Sequence, residues 1–315
     1  MMLEKRVNYK PFEYPEVQSF IDAMNKTFWV HSEVNFTADV QDFKANLTSV
    51  EKEVLKRSML AVSQVEVGVK TFWGDLYRSF PKPEFNNLGI TFAESEVRHA
   101  EAYSRLLEVL GYNDEFTNLV KIPIFKQRLE FIQEHLSYPD EIYKLIFFTL
   151  VIENSSLFSQ FANLISFTRF KGYMKNISNM VAWSAQDEQL HANAGIYLIN
   201  TFTKEAGFDL NSKLNWKKTV EDYIQKESDL LDWIFEEGEL DFYTKKELLT
   251  YIKYRLDQSL SKIGVTPIFN ITALDVKSMM WFEEEVFANS LDDFFAKRPV
   301  DYTKHDKSVS ASDLF

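Results

Sequence analysis

The chain has 315 residues, of which 45 % are hydrophobic and 26 % charged, a balance that fits a folded protein and excludes bulk disorder. The formal charge of −12 excludes a large phosphate-binding face, so nucleic acid is not an expected partner. The absence of cysteine excludes disulfides, thiolate metal sites and a cysteine nucleophile.

The first residues, MMLEKRVNYK, lack the apolar core of a signal peptide, and residues 1–16 read as an extended polar arm. Helical apolar spacing follows over 17–30 (Val17, Phe20, Ile21, Met24, Phe28). Thr48 and Glu51 form a capping box that opens a long helix to about Phe80, where Pro81 and Pro83 stop it. A second long helix is expected from about Glu84 to Leu110, with Gly111 as its stop, and two shorter ones over 114–136. Pro139 suits a first helical turn and opens a third long helix to about Phe170. A fourth runs from beyond Gly172 to about Ala206 and ends at Gly207. Two or three helices cover 214–263, and short pieces reach about 297. With only 9 Gly and 8 Pro and no sustained period-2 alternation, the pattern predicts an all-α, long-helix bundle. The longest apolar run, 145–152, is too short to span a bilayer, so no membrane contact and a cytoplasmic location are expected.

The chemistry lies in acids at apolar positions. Glu66 is the only acid between Glu53 and Asp75, and Glu153 the only one between Glu141 and Asp187, just after the apolar run. A buried carboxylate needs a cation, and nothing basic lies within four residues of Glu153. The other two long helices each carry Glu-x-x-His: Glu96 with His99, and Glu188 with His191. At i, i+3 both side chains project from one helix face and can hold one ion, with the Glu free to bridge to a second. Two lone glutamates plus two such pairs on four long helices match the known ligand pattern of ferritin-like dimetal carboxylate proteins. Four carboxylates and two imidazoles suit iron or manganese better than copper or zinc. Each element alone has a blander reading, as a half-exposed helical Glu or a surface pair. His31, His135 and His305 read as surface or packing residues.

At these residues, and from about residue 5 to 297, the sequence resembles the small, radical-harbouring subunit of class I ribonucleotide reductase. The family order is matched by Glu66, then Glu96-x-x-His99-x-x-x-Tyr103, then Glu153, then Asp187-Glu188-x-x-His191, with Phe28-Trp29 and Glu33-Val34 upstream. The resemblance implies a ferritin-like helical domain over 1–297 with additional helices, followed by a flexible tail at 298–315 that docks the large catalytic subunit. It implies a dinuclear metal centre with Glu66, Glu96, His99, Glu153, Glu188 and His191 as ligands, activated by a reduced oxygen species. The stored oxidising equivalent then passes to the large subunit to start ribonucleotide reduction. The resemblance further implies that Trp29, Asp187 and His99 form the inner transfer route, with Asp187 expected to bond the second nitrogen of His99. Tyr103 sits beside the cluster as a radical candidate, and Tyr302 is the tail relay. A homodimer is implied at family level. Most of the family has Asp where this chain has Glu66. That difference, with Tyr103 retained, resembles the dimanganese subgroup, so Mn2 is preferred, with Fe2 and Mn/Fe as alternatives. Few residues precede Arg6, so no N-terminal regulatory domain is expected. The competing readings are a stand-alone dimetal oxidase, a ferritin-type metal store, and a metal-free scaffold in which Glu66 and Glu153 face solvent.

Overall fold

In the computed structural model the described residues are 1–67, 69–213 and 216–287. They form α1 (Val17–Lys26), α2 (Thr37–Ala45), α3 (Ser49–Val65), α4 (Val69–Gly74), α5 (Leu76–Ser79), α6 (Pro83–Leu110), α7 (Asn113–Asn118), α8 (Pro123–Leu136) and α9 (Glu141–Phe147). A π-helical segment (Phe148–Ser156) leads into α10 (Phe158–Lys171), α11 (Lys175–Ala206), α12 (Leu210–Lys213), α13 (Trp216–Ile234) and α14 (Lys245–Lys262). Residues 280–287 form a terminal helix, and no strand occurs among the described residues. The all-α bundle predicted from the helical spacing is therefore present.

Local chemistry explains most helix ends. The Thr48 hydroxyl accepts from the Glu51 N–H and the Glu51 carboxylate from the Thr48 N–H, closing the capping box at α3. Pro83 is the first residue of α6, where its missing N–H costs nothing. Gly111 and Gly172 close α6 and α10 in the left-handed region, at φ +82° and +74°.

Four expectations need correction. The helix expected over 17–30 ends at Lys26, with Thr27 as its C-cap, and Trp29 beyond it is buried in the core. The helix expected from Thr48 to Phe80 breaks after Val65, and Glu66 is its C-cap. Gly68, the poorest helix former in that stretch, follows at once in the sequence. The third long helix is not regular: its middle widens into nine π-helical residues, Phe148–Ser156, that include Glu153. It also starts two residues beyond Pro139, at Glu141, since Asp140 is the N-cap and accepts from Ile142 N and Tyr143 N.

The core sits between α3, α6, α11 and the run from α9 through the π segment to α10. Every residue from Phe158 to Phe167 is buried. The stretch Glu141–Lys171 is long and apolar enough to cross a membrane by composition, yet its apolar window is wholly covered by protein, so it is a core helix. Two glycines allow close approach. A Cβ at Gly89 would overlap the backbone carbonyl of Trp73, and one at Gly195 would overlap the Thr149 side chain in the π segment. The N-terminal arm is tied down by acids: Glu84 accepts from Arg6 and from the N–H groups of Glu13 and Tyr14, and Glu205 accepts from Met2 N and Tyr14 Oη.

Candidate metal centre

All six expected ligands are brought together in the core. Glu66 comes from the end of α3, Glu96 and His99 from α6, Glu153 from the π segment, and Glu188 and His191 from α11. Each is no more than 1 % exposed, which removes the solvent-facing scaffold reading. The donor atoms fall into two groups, Glu66–Glu96–His99–Glu188 and Glu96–Glu153–Glu188–His191, each within 4.8 Å. Glu96 and Glu188 belong to both, as bridging carboxylates must. His99 Nδ1 lies 3.2 Å from Glu96 and 3.0 Å from Glu188, while His191 Nδ1 lies 3.0 Å from Glu96 and 3.2 Å from Glu188.

The outer nitrogens set which ring atom faces the centre. His99 Nε2 donates to Asp187 Oδ2 at 3.1 Å, since a carboxylate only accepts. The Ser95 hydroxyl donates to Phe92 O at 2.7 Å, which leaves its oxygen to accept from His191 Nε2 at 3.0 Å. Both imidazoles therefore present an Nδ1 lone pair inward, the form a metal needs. Trp73 Nε1 donates to Glu153 Oε1 at 2.6 Å and so selects which oxygen faces the centre.

The charges demand cations. Burial pushes Glu66 and Glu153 well above the ordinary carboxylate range, and the Glu188 charge pushes both further. Burial acts the same way on Glu188, but contacts with Glu153, His191 and His99 outweigh it and hold its carboxyl low. For His99 and His191 burial favours the neutral ring, yet the surrounding carboxylates win and raise both. Both oxygens of Glu66 and of Glu96, with Glu188 Oε1 and His99 Nδ1, are buried and close no hydrogen bond. Four carboxylates carry a formal charge that two divalent ions cancel, and hard oxygen donors with two imidazoles fit Mn(II) or Fe(II).

Trp29 and Tyr103 both lie buried near the cluster. Trp29 is 4 % exposed, stacks on His99 with ring centroids 5.6 Å apart, and donates Nε1–H to Asp187 Oδ2 at 2.9 Å. Tyr103 is buried on α6 with its hydroxyl unpartnered, bordered by Ser184, whose hydroxyl is also unpartnered. Burial, then the Glu66 charge, pushes the Tyr103 phenol far up, so it stays protonated. Tyr302 and the whole 298–315 tail lie outside the described residues. His135 packs on Phe147 and bonds Tyr143, and His31 lies half-exposed beside Glu101, as expected of non-ligands.

Sequence reasoning missed four neighbours. Arg98 donates to Trp29 O at 3.0 Å, approaches Asp187 to 4.0 Å and lies over the Phe28 ring. Its signal was its place inside the Glu-x-x-His motif. Trp183 meets the Trp29 ring at 5.7 Å, and Ser95 adjoins Glu96 in sequence. Trp73 had no local signal, because its partner is 80 residues away.

Residues 6–277 match the family described as ribonucleotide reductase, small chain. The chain belongs to that family. Among its relatives is a protein of Invertebrate iridescent virus 6 named as a probable ribonucleoside-diphosphate reductase small subunit. It is 28 % identical over 342 residues, covering 96 % of this chain and 95 % of the relative. The ribonucleoside-diphosphate reductase subunit beta of Chlamydia pneumoniae is 22 % identical over 87 % of this chain and 83 % of its own length. The fold is shared with the dimanganese(II)-NrdF of Streptococcus sanguinis at TM-score 0.75, 17 % identity, and coverage of 87 % of this chain and 96 % of that one. The reductase small chain thus has the ferritin-like bundle, and its buried carboxylate–histidine cluster is built for a dinuclear metal site.

Proposed function

We propose that this reductase small chain generates and stores the one-electron oxidising equivalent of a class I enzyme, through a dimanganese centre held by Glu66, Glu96, His99, Glu153, Glu188 and His191. The observation that carries the reading is the continuous contact from the cluster through His99 and Asp187 to the Trp29 indole. A stand-alone oxidase has no use for such an outward route. When bound, the metal pair supplies the redox capacity. The chain's own residues orient it and move charge. Asp187 holds the proton on His99 Nε2 and takes the Trp29 N–H bond, so electron transfer at Trp29 has a proton acceptor 2.9 Å away. Arg98 binds the Trp29 carbonyl and fixes the indole.

Manganese is supported by Glu66, which stands where the family resemblance has Asp in most members, since the longer carboxylate can reach the metals differently. A metal-centred equivalent is supported by Tyr103 itself. Its hydroxyl closes no hydrogen bond to a carboxylate among the described residues and is bordered by the Ser184 hydroxyl, a weak base, and a phenol surrenders an electron readily only with somewhere to send its proton. In this reading the chain works as a cytoplasmic homodimer with the large catalytic subunit, docked by the tail at 298–315, and Tyr302 carries the equivalent between them.

The test is metal analysis with electron paramagnetic resonance on protein loaded with Mn or Fe and oxidised. The expected result is a manganese multiline signal that survives Tyr103→Phe in protein still supporting the large subunit. A sharp organic-radical signal lost in Tyr103→Phe would instead make Tyr103 the radical site.

A further inference from the structure

We propose that Arg255 is a positioning residue for the metal ligands Glu153 and Glu188, tying the two segments that bear them to the terminal helix at 280–287. The proposal rests on the dimetal reading above and concerns a residue on α14, outside the ligand set and the transfer route.

A guanidinium has five N–H donors in a fixed plane. In Arg255 all five are used. Nε donates to Asn154 O at 2.9 Å and one terminal nitrogen to Asn154 Oδ1 at 3.0 Å. The same terminal nitrogen donates to Gln189 Oε1 at 2.9 Å. The other donates to Glu283 Oε1 at 2.9 Å and to Tyr251 Oη at 3.2 Å. The Phe158 ring lies 3.5 Å beneath the guanidinium carbon, and the side chain is 5 % exposed. Asn154 directly follows Glu153, and Gln189 directly follows Glu188. One cation therefore grips the neighbours of a terminal and a bridging ligand at once.

The grip matters because of where it falls. The π segment has shifted its hydrogen bonds away from the α pattern, so its backbone carbonyls are not all held by the regular ladder. Arg255 takes the carbonyl of Asn154, and Arg128 on α8 takes that of Ser156 at 2.9 Å. Asn154 also donates to Ser259 and to Arg255 O, so the side chain is clamped from both ends. On the far side Tyr251 donates to Glu283, and Gln186 on α11 donates to Val286 O at 2.8 Å. The terminal helix is thus joined at two points to the stretch of α11 that contains Asp187 and Glu188.

The full chain is titrated with Mn(II), with free ion and the bound-ion spectrum followed by electron paramagnetic resonance and thermal unfolding recorded alongside. The unaltered chain is expected to bind two ions. Removing a partner that orients ligands weakens metal binding by about 10–100-fold, and Arg255 acts one residue further out, so Arg255→Gln is expected to weaken one ion about 10-fold and to change the coupled-ion spectrum. Arg255→Lys, a point charge with three donors, should fall between the two. Glu283→Gln and Gln189→Met, each removing one arm, should shift the spectrum in the same direction by less. Variants that bind both ions with parental affinity and an identical spectrum overturn the proposal, and the single-arm variants decide it if Arg255→Gln does not fold. An unaltered chain that binds neither Mn(II) nor Fe(II) overturns the dimetal reading, and the proposal with it.

Discussion

Asp187 is the clearest place to test how the centre is held. Its Oδ2 accepts from both His99 Nε2 at 3.1 Å and Trp29 Nε1 at 2.9 Å, deep in the core. In Asp187→Asn the amide oxygen can take that position and accept both bonds. The reversed amide would aim N–H at two N–H donors and is disfavoured. What is lost is charge assistance: bonds to a charged group contribute about 1.5–3 kcal/mol and neutral ones about 0.5–1.5, so two bonds lose about 2 kcal/mol together. In Asp187→Ala both donors stay buried and unpaired, at about 1–3 kcal/mol each. The proton on His99 Nε2 then loses its anchor, and the Nδ1 lone pair is no longer held inward. Denaturant unfolding in chelator should place Asn between the parent and Ala. Mn(II) titration should show Ala about 10–100-fold weaker for one ion and Asn closer to the parent. If Asp187→Ala binds two ions with parental affinity, the tautomer argument for His99 is wrong.

Glu153→Ala should leave at least one fewer metal ion per chain by elemental analysis, because Glu153 belongs to only one of the two donor groups. Tyr302→Phe should keep the parental metal count and abolish turnover with the large subunit, and retained turnover would remove Tyr302 from the route. Glu227 on α13 is raised by burial, which outweighs the pull of Arg128. A raised carboxyl costs stability as pH climbs above its ordinary 4.5. Glu227→Gln should therefore flatten the fall of melting temperature as pH rises above 4.5, and equal slopes in parent and variant would exclude the effect. Gly195→Ala places a methyl into Thr149 of the π segment and should destabilise by about 1–3 kcal/mol in denaturant unfolding, with the bound-ion spectrum altered as well.

The sequence made legible what periodicity encodes. Glu96 and His99, and Glu188 and His191, lie on regular helices, where i, i+3 spacing alone puts both side chains on one face. The capping box at Thr48 and the stops at Gly111, Gly172 and Gly207 are equally local chemistry and stand where they were read. The backbone around Glu66 and Glu153 was not legible. No residue type announces a π segment: its nine residues are all buried, and Glu153 and Asn154 within it bond Trp73 and Arg255, far away in sequence. Arg255, Trp73 and Arg128 escaped for the same reason, since each bonds a residue far away in sequence.

That division has a functional sense. The two carboxylates shared by both donor groups, Glu96 and Glu188, come from helices of 28 and 32 residues whose ladders hold them stiffly. The two that serve a single group, Glu66 and Glu153, sit where the α-helix has just ended or has widened. A carboxylate on such a turn changes its reach at less backbone cost than one in mid-helix, because fewer ladder bonds must move with it. A dinuclear centre held here would draw on two stiffly held carboxylates and two that can adjust. The bundle supplies the first from regular helices and the second from its two irregular ones. The buried arginines on α8 and α14 then set how far the π segment is free to give.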